Sequence, residues 1–162
     1  MTALAVSTRI EESGSGRTCR TILDALPHWF GVSASVADYV SVADRSPSVI
    51  ASADGREVGI ATIVSHSPFA AEVYVMGVLP AWHRRGVGRT MLRAAEERLA
   101  GQGVEYLQVK TRGPSKPDEG YENTRAFYLA YGFRPLEEFP LLWDADNPAL
   151  QMIKTIGART PA

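Results

Sequence analysis

The sequence predicts a protein of the α/β (α+β) class, with a mixed, mostly antiparallel central sheet of six to seven strands flanked by about four helices. Two runs rich in β-branched residues flank Asp54-Gly55, a dipeptide that favours a hairpin turn. A third such run, EVYVMGVL at 72–79, follows soon after. Beyond it a glycine loop, a helix and another strand come in order, which indicates a β-α-β unit.

The N-terminal part is predicted to contain a short edge strand at 3–10 and two short helices at 18–26 and 34–44. The stretch PHWFGVS separates the helices, because its proline and glycine interrupt regular structure. Ser33 is a candidate N-cap of the second helix, since a serine hydroxyl can accept a hydrogen bond from a backbone N–H there.

The middle of the chain alternates between strand and helix. Pro80 ends the strand at 72–79 because it cannot donate to a ladder. A helix fits from Gly88, and Gly101 favours its end. Its apolar face comprises Met91, Leu92, Ala95 and Leu99. The run VEYLQVKT at 104–111 again predicts a strand.

The C-terminal part begins with a polar loop at 112–121, which contains two prolines and two glycines. A short helix at 123–133 is predicted to end at Gly132. Two final strands are predicted near 133–143 and 149–156.

The 162 residues suit one compact domain over 1–162, with 1–16 and 157–162 as candidate frayed ends. A hydrophobic share of 45% and a charged share of 22% are ordinary for a soluble globular protein. The formal net charge of -1 gives no overall field that favours a nucleic acid or a membrane as partner.

Cys19 is the only cysteine, which excludes an internal disulfide and a cysteine-rich zinc site, and no metal is expected. No apolar run approaches the roughly 20 residues of a membrane span. The start, MTALAVSTRI, lacks the basic region of a signal peptide. A cytoplasmic location is therefore the default expectation.

The stretch HRRGVGRTML at 83–92 lies where a strand gives way to a helix. The first N–H groups of a helix have no partner inside it, and the helix dipole adds positive charge, so such a start can bind pyrophosphate. Gly86 and Gly88 lack a Cβ, so they permit unusual dihedrals and close approach of phosphate oxygens. Taken alone, the motif is equally compatible with a tight turn whose arginines are solvated.

The run from Val78 to Phe133 resembles the GCN5-related N-acetyltransferase (GNAT) family. In that family a Gln/Arg-x-x-Gly-x-Gly/Ala loop binds the pyrophosphate of acetyl-CoA, which would make 1–162 a single acetyltransferase domain. The matching residues are His83, Arg84, Arg85, Gly86, Val87 and Gly88, and Arg89 adds charge beside them. His83 stands where the family more often has glutamine or arginine.

A second family motif runs Asn-x-x-Ala-x-x-x-Tyr-x-x-x-Gly-Phe. Asn123, Ala126, Tyr128, Gly132 and Phe133 match it here, with a shorter spacing before the tyrosine. By this resemblance Tyr128 would hydrogen-bond the CoA sulfur and protonate the departing thiolate, unless it only packs between helix and sheet. Asn123 would contact the pantetheine or phosphate arm, or would simply cap its helix.

The end of the 72–79 strand matches the strand that lines the thioester in this family. Met76, Gly77 and Val78 would bind the pantetheine there, and the N–H of Val78 would donate to the developing oxyanion. A glycine inside a strand independently indicates a bulge or a close backbone approach. A flexible strand end is the alternative.

The base that removes the amine proton is not specified by a motif. Glu72 could bind the positive charge of the amine or accept its proton, or it could be a solvent-facing strand residue. His66 is a second candidate base, or a loop histidine. Trp29 and Phe30 could line an acceptor pocket or belong to the core.

The resemblance implies transfer of an acetyl group from acetyl-CoA directly to a primary amine of a small molecule. A protein acetyltransferase acting on a lysine or an N-terminus is one alternative. A non-catalytic acyl-CoA-binding module is another, and the retained Tyr128 speaks against it. The sequence does not identify the acceptor or the acyl chain, and it specifies no interface, although similar proteins are commonly homodimers.

Overall fold

The computed structural model describes residues 5–157, and within them it contains seven strands and four α-helices. The strands are β1 (Val6–Glu11), β2 (Ser48–Ala53), β3 (Arg56–Ser65), β4 (Ala70–Val78), β5 (Tyr106–Arg112), β6 (Arg134–Asp144) and β7 (Asn147–Thr155). The helices are α1 (Gly16–Asp24), α2 (Ser33–Arg45), α3 (Val87–Gly101) and α4 (Glu119–Tyr131). The strands form one sheet in the order β1-β2-β3-β4-β5-β7-β6. The predicted fold class is confirmed.

The chain divides into two compact units. The first runs to Val64 and adds Val73–Arg98, and the second combines Ser65–Glu72 with the residues from Leu99 onward. Along residues 5–157 every helix is too short or too polar to cross a membrane. Residues 1–4 and 158–162, which belong to the two candidate frayed ends, lie outside the described residues.

The first unit is built on antiparallel pairing near the N-terminus. β1 pairs with β2 along its whole length, from Val6 opposite Ala53 to Glu11 opposite Ser48. β2 and β3 form the predicted hairpin, and Asp54 and Gly55 have φ angles of 54° and 74°. Positive φ at both central residues is what a type I′ turn requires, so the Asp-Gly signal identified this turn correctly.

The core of the first unit lies where α1 and α2 pack on the strands. Its buried residues are Cys19, Ile22, Leu23, Leu26, Val36, Ala43, Ile50, Ile60 and Val75. Cys19 is 0% exposed, and burial raises the pKa of its thiol to about 12. Cys19 is therefore a protonated core residue at neutral pH.

The second unit pairs β5 with β7 antiparallel, from Tyr106 opposite Thr155 to Arg112 opposite Ala149. β7 then pairs antiparallel with β6. The larger buried apolar side chains on these strands and after α4 are Leu107, Val109, Phe133, Leu150 and Met152. Gly132 ends α4 with a φ of 123°, as its position after the apolar run predicts.

Two predicted helix starts are wrong. Ser33 is the first helical residue of α2, and Val32 occupies the N-cap position without a side-chain cap. α4 begins at Glu119 rather than near Asn123, because the Asp118 carboxylate accepts a hydrogen bond from the N–H of Tyr121 and caps the helix there. The predicted loop at 112–121 is correspondingly shorter.

Candidate active site

The glycine loop contains two residues with left-handed backbone conformation. They are Arg84, with a φ of 60°, and Gly86, with a φ of 79°. Gly88 is the second residue of α3 and has no positive φ, so of the two glycines only Gly86 uses the conformational freedom that glycine permits. The cost of a left-handed non-glycine residue falls on Arg84 instead, which is typical of a loop whose shape is functional.

The start of α3 presents backbone N–H groups. The N–H of Thr90 donates to the carbonyl of Gly86 at 3.0 Å. Val87 and Gly88 come before Thr90 in the helix, so helix geometry leaves their N–H groups without an acceptor inside the helix. The helix dipole places positive charge at the same end. An anion is the ligand that this arrangement favours.

Basic side chains surround the loop. Arg84, Arg85 and Arg89 are all exposed. The guanidinium of Arg85 lies over the ring of Trp82, 5.2 Å from its centroid, which restrains this arginine beside the loop. The arginines therefore add charge where the backbone N–H groups point outward.

The position of α3 depends on its packing against β3 at Gly59. A Cβ on Gly59 would lie 3.0 Å from the Met91 side chain and 3.2 Å from that of Val87. The glycine thus allows the first two turns of α3 to approach the strand closely. Val87 is 1% exposed, so the helix start is anchored by a buried side chain.

His83 connects the loop to the end of β4. Its Nε2 donates to the carbonyl of Val78 at 2.6 Å, so the proton lies on Nε2. The Trp29 ring meets the His83 ring edge-on at 6.0 Å between centroids. In this chain the histidine at the family's glutamine or arginine position therefore holds the strand end that is expected to face the thioester.

Gly77 has a packing reason to be glycine. A Cβ there would lie 3.1 Å from side-chain atoms of Ile22 and Leu26 and 3.3 Å from Leu23. The residue is buried, and its neighbours Met76 and Val78 are partly buried. The close approach that the sequence suggested is confirmed, and the approaching atoms belong to α1 and to Leu26 just after it.

Tyr128 is 7% exposed and lies among aromatic rings. Its ring meets those of Phe127 and Phe133 with centroids 5.4 and 5.5 Å away. Burial raises the pKa of the Tyr128 phenol above its usual range, because the charged phenolate would lose its hydration. The hydroxyl is therefore a proton donor at neutral pH.

Asn123 does not share the face of α4 that carries Tyr128. At about 100° per residue, five residues place the two side chains roughly 140° apart around the helix. Asn123 is exposed, and because Asp118 caps α4, the alternative role of Asn123 as N-cap is wrong. The residue seven positions before Tyr128, where the family pattern has asparagine, is Tyr121, which lies on the same face.

Tyr121 is a residue that the motif comparison missed, although counting back from Tyr128 would have found it. Burial raises the pKa of its phenol. The guanidinium of Arg112 lies 5.8 Å from its ring centroid, and Arg112 Nη1 lies 3.5 Å from the carboxylate of Asp118. Asp118 is thus engaged in the start of α4.

Glu72 is buried rather than solvent-facing, so that alternative is wrong. The residue is 4% exposed. Its carboxylate receives Lys110 Nζ at 3.1 and 3.2 Å and lies 2.7 Å from His66 Nε2. The side chain of His66 is 41% exposed. The two candidate bases of the sequence therefore form one cluster with a lysine, joining a buried carboxylate to a solvent-exposed imidazole.

Aromatic residues gather on the first unit between α2 and β4. Tyr39 meets both Phe30 and Tyr74 edge-on with centroids 5.7 Å apart, and the Tyr74 hydroxyl donates to Asp38 at 2.7 Å. Trp29 and Phe30 are partly buried and pack against the core. For both residues, packing against the core is compatible with lining an acceptor pocket.

Metal chemistry has no evident ligand set in the part of the chain that the structure describes. Within residues 5–157 no three His, Cys, Asp or Glu side chains come together in a way that could hold an ion.

Comparison with known proteins gives a family match over the middle of the chain. The profile described as "Acetyltransferase (GNAT) domain" matches residues 44–135, more than half of the chain. This range contains the glycine loop, Glu72 and Tyr128.

The chain is also similar to the N-alpha-acetyltransferase RimI of Mycobacterium tuberculosis, with 43% identity over 53 residues. The matched segment covers 33% of this chain and 33% of that protein. The chain thus spans about a third of the length of this curated relative.

Among solved structures, a putative GNAT acetyltransferase from Desulfovibrio desulfuricans has a TM-score of 0.80 and 18% identity, covering 93% of this chain and 99% of its own. An aminoglycoside 6'-N-acetyltransferase complexed with coenzyme A has a TM-score of 0.71 and 16% identity, covering 94% and 99%. At these identities the likeness concerns the fold. Together with the profile match, it means that the chain belongs to the GNAT acetyltransferase family.

Proposed function

We propose that the protein is an acetyl-CoA-dependent N-acetyltransferase that moves an acetyl group directly to a primary amine of a small molecule. The observation that carries the proposal is the loop before α3, where left-handed Arg84 and Gly86 precede a helix start within a family-matched segment. Backbone N–H groups, helix dipole and exposed arginines together fit a pyrophosphate. Acetyl-CoA supplies an activated thioester as acyl donor.

In this proposal, residues 83–89 bind the pyrophosphate, and Met76 and Gly77 border the pantetheine. The N–H of Val78 donates to the oxyanion that forms when the amine attacks the thioester carbonyl. The hydrogen bond from His83 to the Val78 carbonyl supports this role, because it restrains the peptide groups at the end of β4.

Tyr128 is the proposed proton donor to the departing thiolate. Its buried phenol is protonated at neutral pH, which is the state that this role requires. Tyr121 on the same face of α4, rather than exposed Asn123, is the better candidate for a contact with the pantetheine arm.

Glu72 is the proposed acceptor of the amine proton. An ammonium group must lose a proton before it can attack, and a carboxylate in a water-poor site can take it. Lys110 balances the charge of Glu72, which makes a buried carboxylate tolerable. The neutral amine attacks the thioester carbonyl, and the tetrahedral intermediate expels the CoA thiolate, which takes the proton of Tyr128. The second N–H proton, lost as the amide forms, returns to the Tyr128 phenolate, and Glu72 releases the ammonium proton to solvent.

A small cationic acceptor is supported by the aromatic group near α2. Tyr39 and Tyr74 offer ring faces and edges, and Asp38 offers a carboxylate beside them. Such a combination attracts an amine by cation–π and charge interactions. The proposal includes a cytoplasmic location.

Acetylation of a protein N-terminus is the second candidate, because the 53-residue similarity is to an N-alpha-acetyltransferase. A panel of acceptors tests both. Release of the CoA thiol is followed with acetyl-CoA and, in turn, polyamines, aminoglycosides, free amino acids, and peptides with a free N-terminus or a lysine. Release with small amines alone supports the first proposal. Release with peptides alone favours the second, and acetyl-CoA binding without any release supports a binding module.

A further inference from the structure

We propose that Arg125 is a positioning residue for Tyr128, tying α4 to the end of β5 so that the phenol stands where the thiolate leaves. The inference rests on the proposed function, since it assumes that Tyr128 donates a proton. It adds a residue at a variable position of the second family motif, and its loss should act through that proton transfer.

The first contact is a hydrogen bond from a side chain of α4 to the backbone of β5. Arg125 Nη1 donates to the carbonyl oxygen of Arg112 at 2.7 Å, in a partly buried position. Arg112 is the last residue of β5, and the N–H of Gly113 already bonds to the carbonyl of Pro148. The acceptor therefore belongs to backbone that the sheet holds in place.

A second set of contacts holds the start of α4 to the same residue. The Arg112 guanidinium lies 3.5 Å from an oxygen of Asp118, whose other oxygen accepts the N–H of Tyr121 at 3.1 Å. The same guanidinium lies over the Tyr121 ring. Arg112 thus fixes α4 at its first turn through its side chain and at its second turn through its carbonyl.

Tyr128 needs such an anchor because its own ring contacts are apolar. Phe127 lies on α4 itself and Phe133 just after its end, so these ring contacts do not tie α4 to β5. Arg125 lies three residues before Tyr128, on a neighbouring part of the helix surface and about 4.5 Å along the axis. A shift of α4 by about 1 Å is enough to cost on the order of a hundredfold in rate when a catalytic group is displaced.

The experiment is a double-mutant cycle on kcat, using an amine accepted by the enzyme. Arg125→Met keeps much of the aliphatic stem and removes the donor, and Arg125→Lys is the conservative variant. Arg93→Met, on an exposed position of α3, is the matched control. We expect Arg125→Met to lower kcat at least about tenfold with less than about a threefold change in KM for acetyl-CoA. Arg125→Lys should recover part of the loss, and Arg93→Met should have none.

The Tyr128→Phe background separates positioning from general damage. If Arg125 acts through Tyr128, Arg125→Met should change kcat by less than about twofold once the phenol is gone. The positioning role is overturned if Arg125→Met lowers kcat equally in both backgrounds. It is also overturned if the substitution only raises KM or leaves kcat unchanged. A Tyr128→Phe enzyme with normal kcat overturns the acid role as well, so the two failures are distinguishable.

A second variant tests the contact between Arg112 and the start of α4, and it keeps the proposal testable if Arg125→Met misfolds. Asp118→Asn keeps an oxygen to cap α4 but loses the ion pair with Arg112. We expect a smaller loss of kcat in the same direction, again absent in the Tyr128→Phe background. A loss that persists there contradicts the proposal.

Discussion

Tyr128 combines a position taken from a family motif with a property that only the structure provides. The motif ending identified the residue, and burial among Phe127 and Phe133 determines its ionisation. A phenol whose pKa is raised above its usual range of about 10 is a weak acid. It can still protonate a CoA thiolate that is itself desolvated, because desolvation raises the pKa of the phenol and of the thiol alike.

Tyr128→Phe should lower kcat at least about tenfold, because general-acid catalysis contributes on the order of 100-fold or more. Acetyl-CoA binding should change less than about threefold, since the ring and its packing remain. Between neutral pH and about pH 9 the phenol is protonated in both folded and unfolded chains, so Tyr128 contributes no pH dependence to stability there. Above about pH 10 the unfolded phenol ionises first, and the free energy of unfolding falls.

Steady-state kinetics and acetyl-CoA titration of Tyr128→Phe give these quantities, with Tyr131→Phe as a control on the same helix. Unchanged kcat in Tyr128→Phe would show that another group or water protonates the thiolate.

At the scale of elements, β4 is constrained from one side by α1. A methyl group on Gly77 would lie 3.1–3.3 Å from the side chains of Ile22, Leu23 and Leu26, so these side chains would have to move slightly to admit it. This packing fixes the backbone of β4 at Gly77 and therefore the positions of its neighbours Met76 and Val78. The glycine therefore has a structural role, whether or not its backbone also contacts the pantetheine.

Gly77→Ala should destabilise the protein by about 1–3 kcal/mol, the usual cost of overpacking a filled core. Gly101→Ala is the matched control, because its added methyl group would meet nothing within 4 Å apart from its chain neighbours and the backbone of its own helix. Urea unfolding of both variants measures the difference. Equal stability would mean that α1 relaxes away from the strand without cost.

The sequence predicted the elements best where a strong local signal agreed with the fold. The Asp54-Gly55 turn and the strand, loop and helix around Gly86 are such cases. The start of α4 was missed because Pro117 precedes the cap and Gly120 lies in the first turn, both of which are typical of loops. Asp118 as N-cap becomes evident only from its bond to the Tyr121 N–H.

At the scale of the whole molecule, the sequence predicted the sheet class and the family motifs, but not the partners of the candidate base. Glu72 was a candidate base on the sequence alone, while the structure shows that its carboxylate is engaged by Lys110 in β5 and by His66, which follows β3. Contacts between residues 38 positions apart depend on strand order, which local patterns do not encode. Cys19 gives the molecule no reactive thiol, since it is buried and protonated.

The central claim, direct transfer from acetyl-CoA to an amine, is tested by following a label in the acetyl group. The protein is incubated with labelled acetyl-CoA, first alone and then with an amine that promotes thiol release, and the masses of protein and amine are measured. The protein should remain unlabelled without amine, and the label should then appear in an amide in step with thiol release. Label on the protein that chases into the amine, or thiol release without labelled amide, would contradict direct transfer.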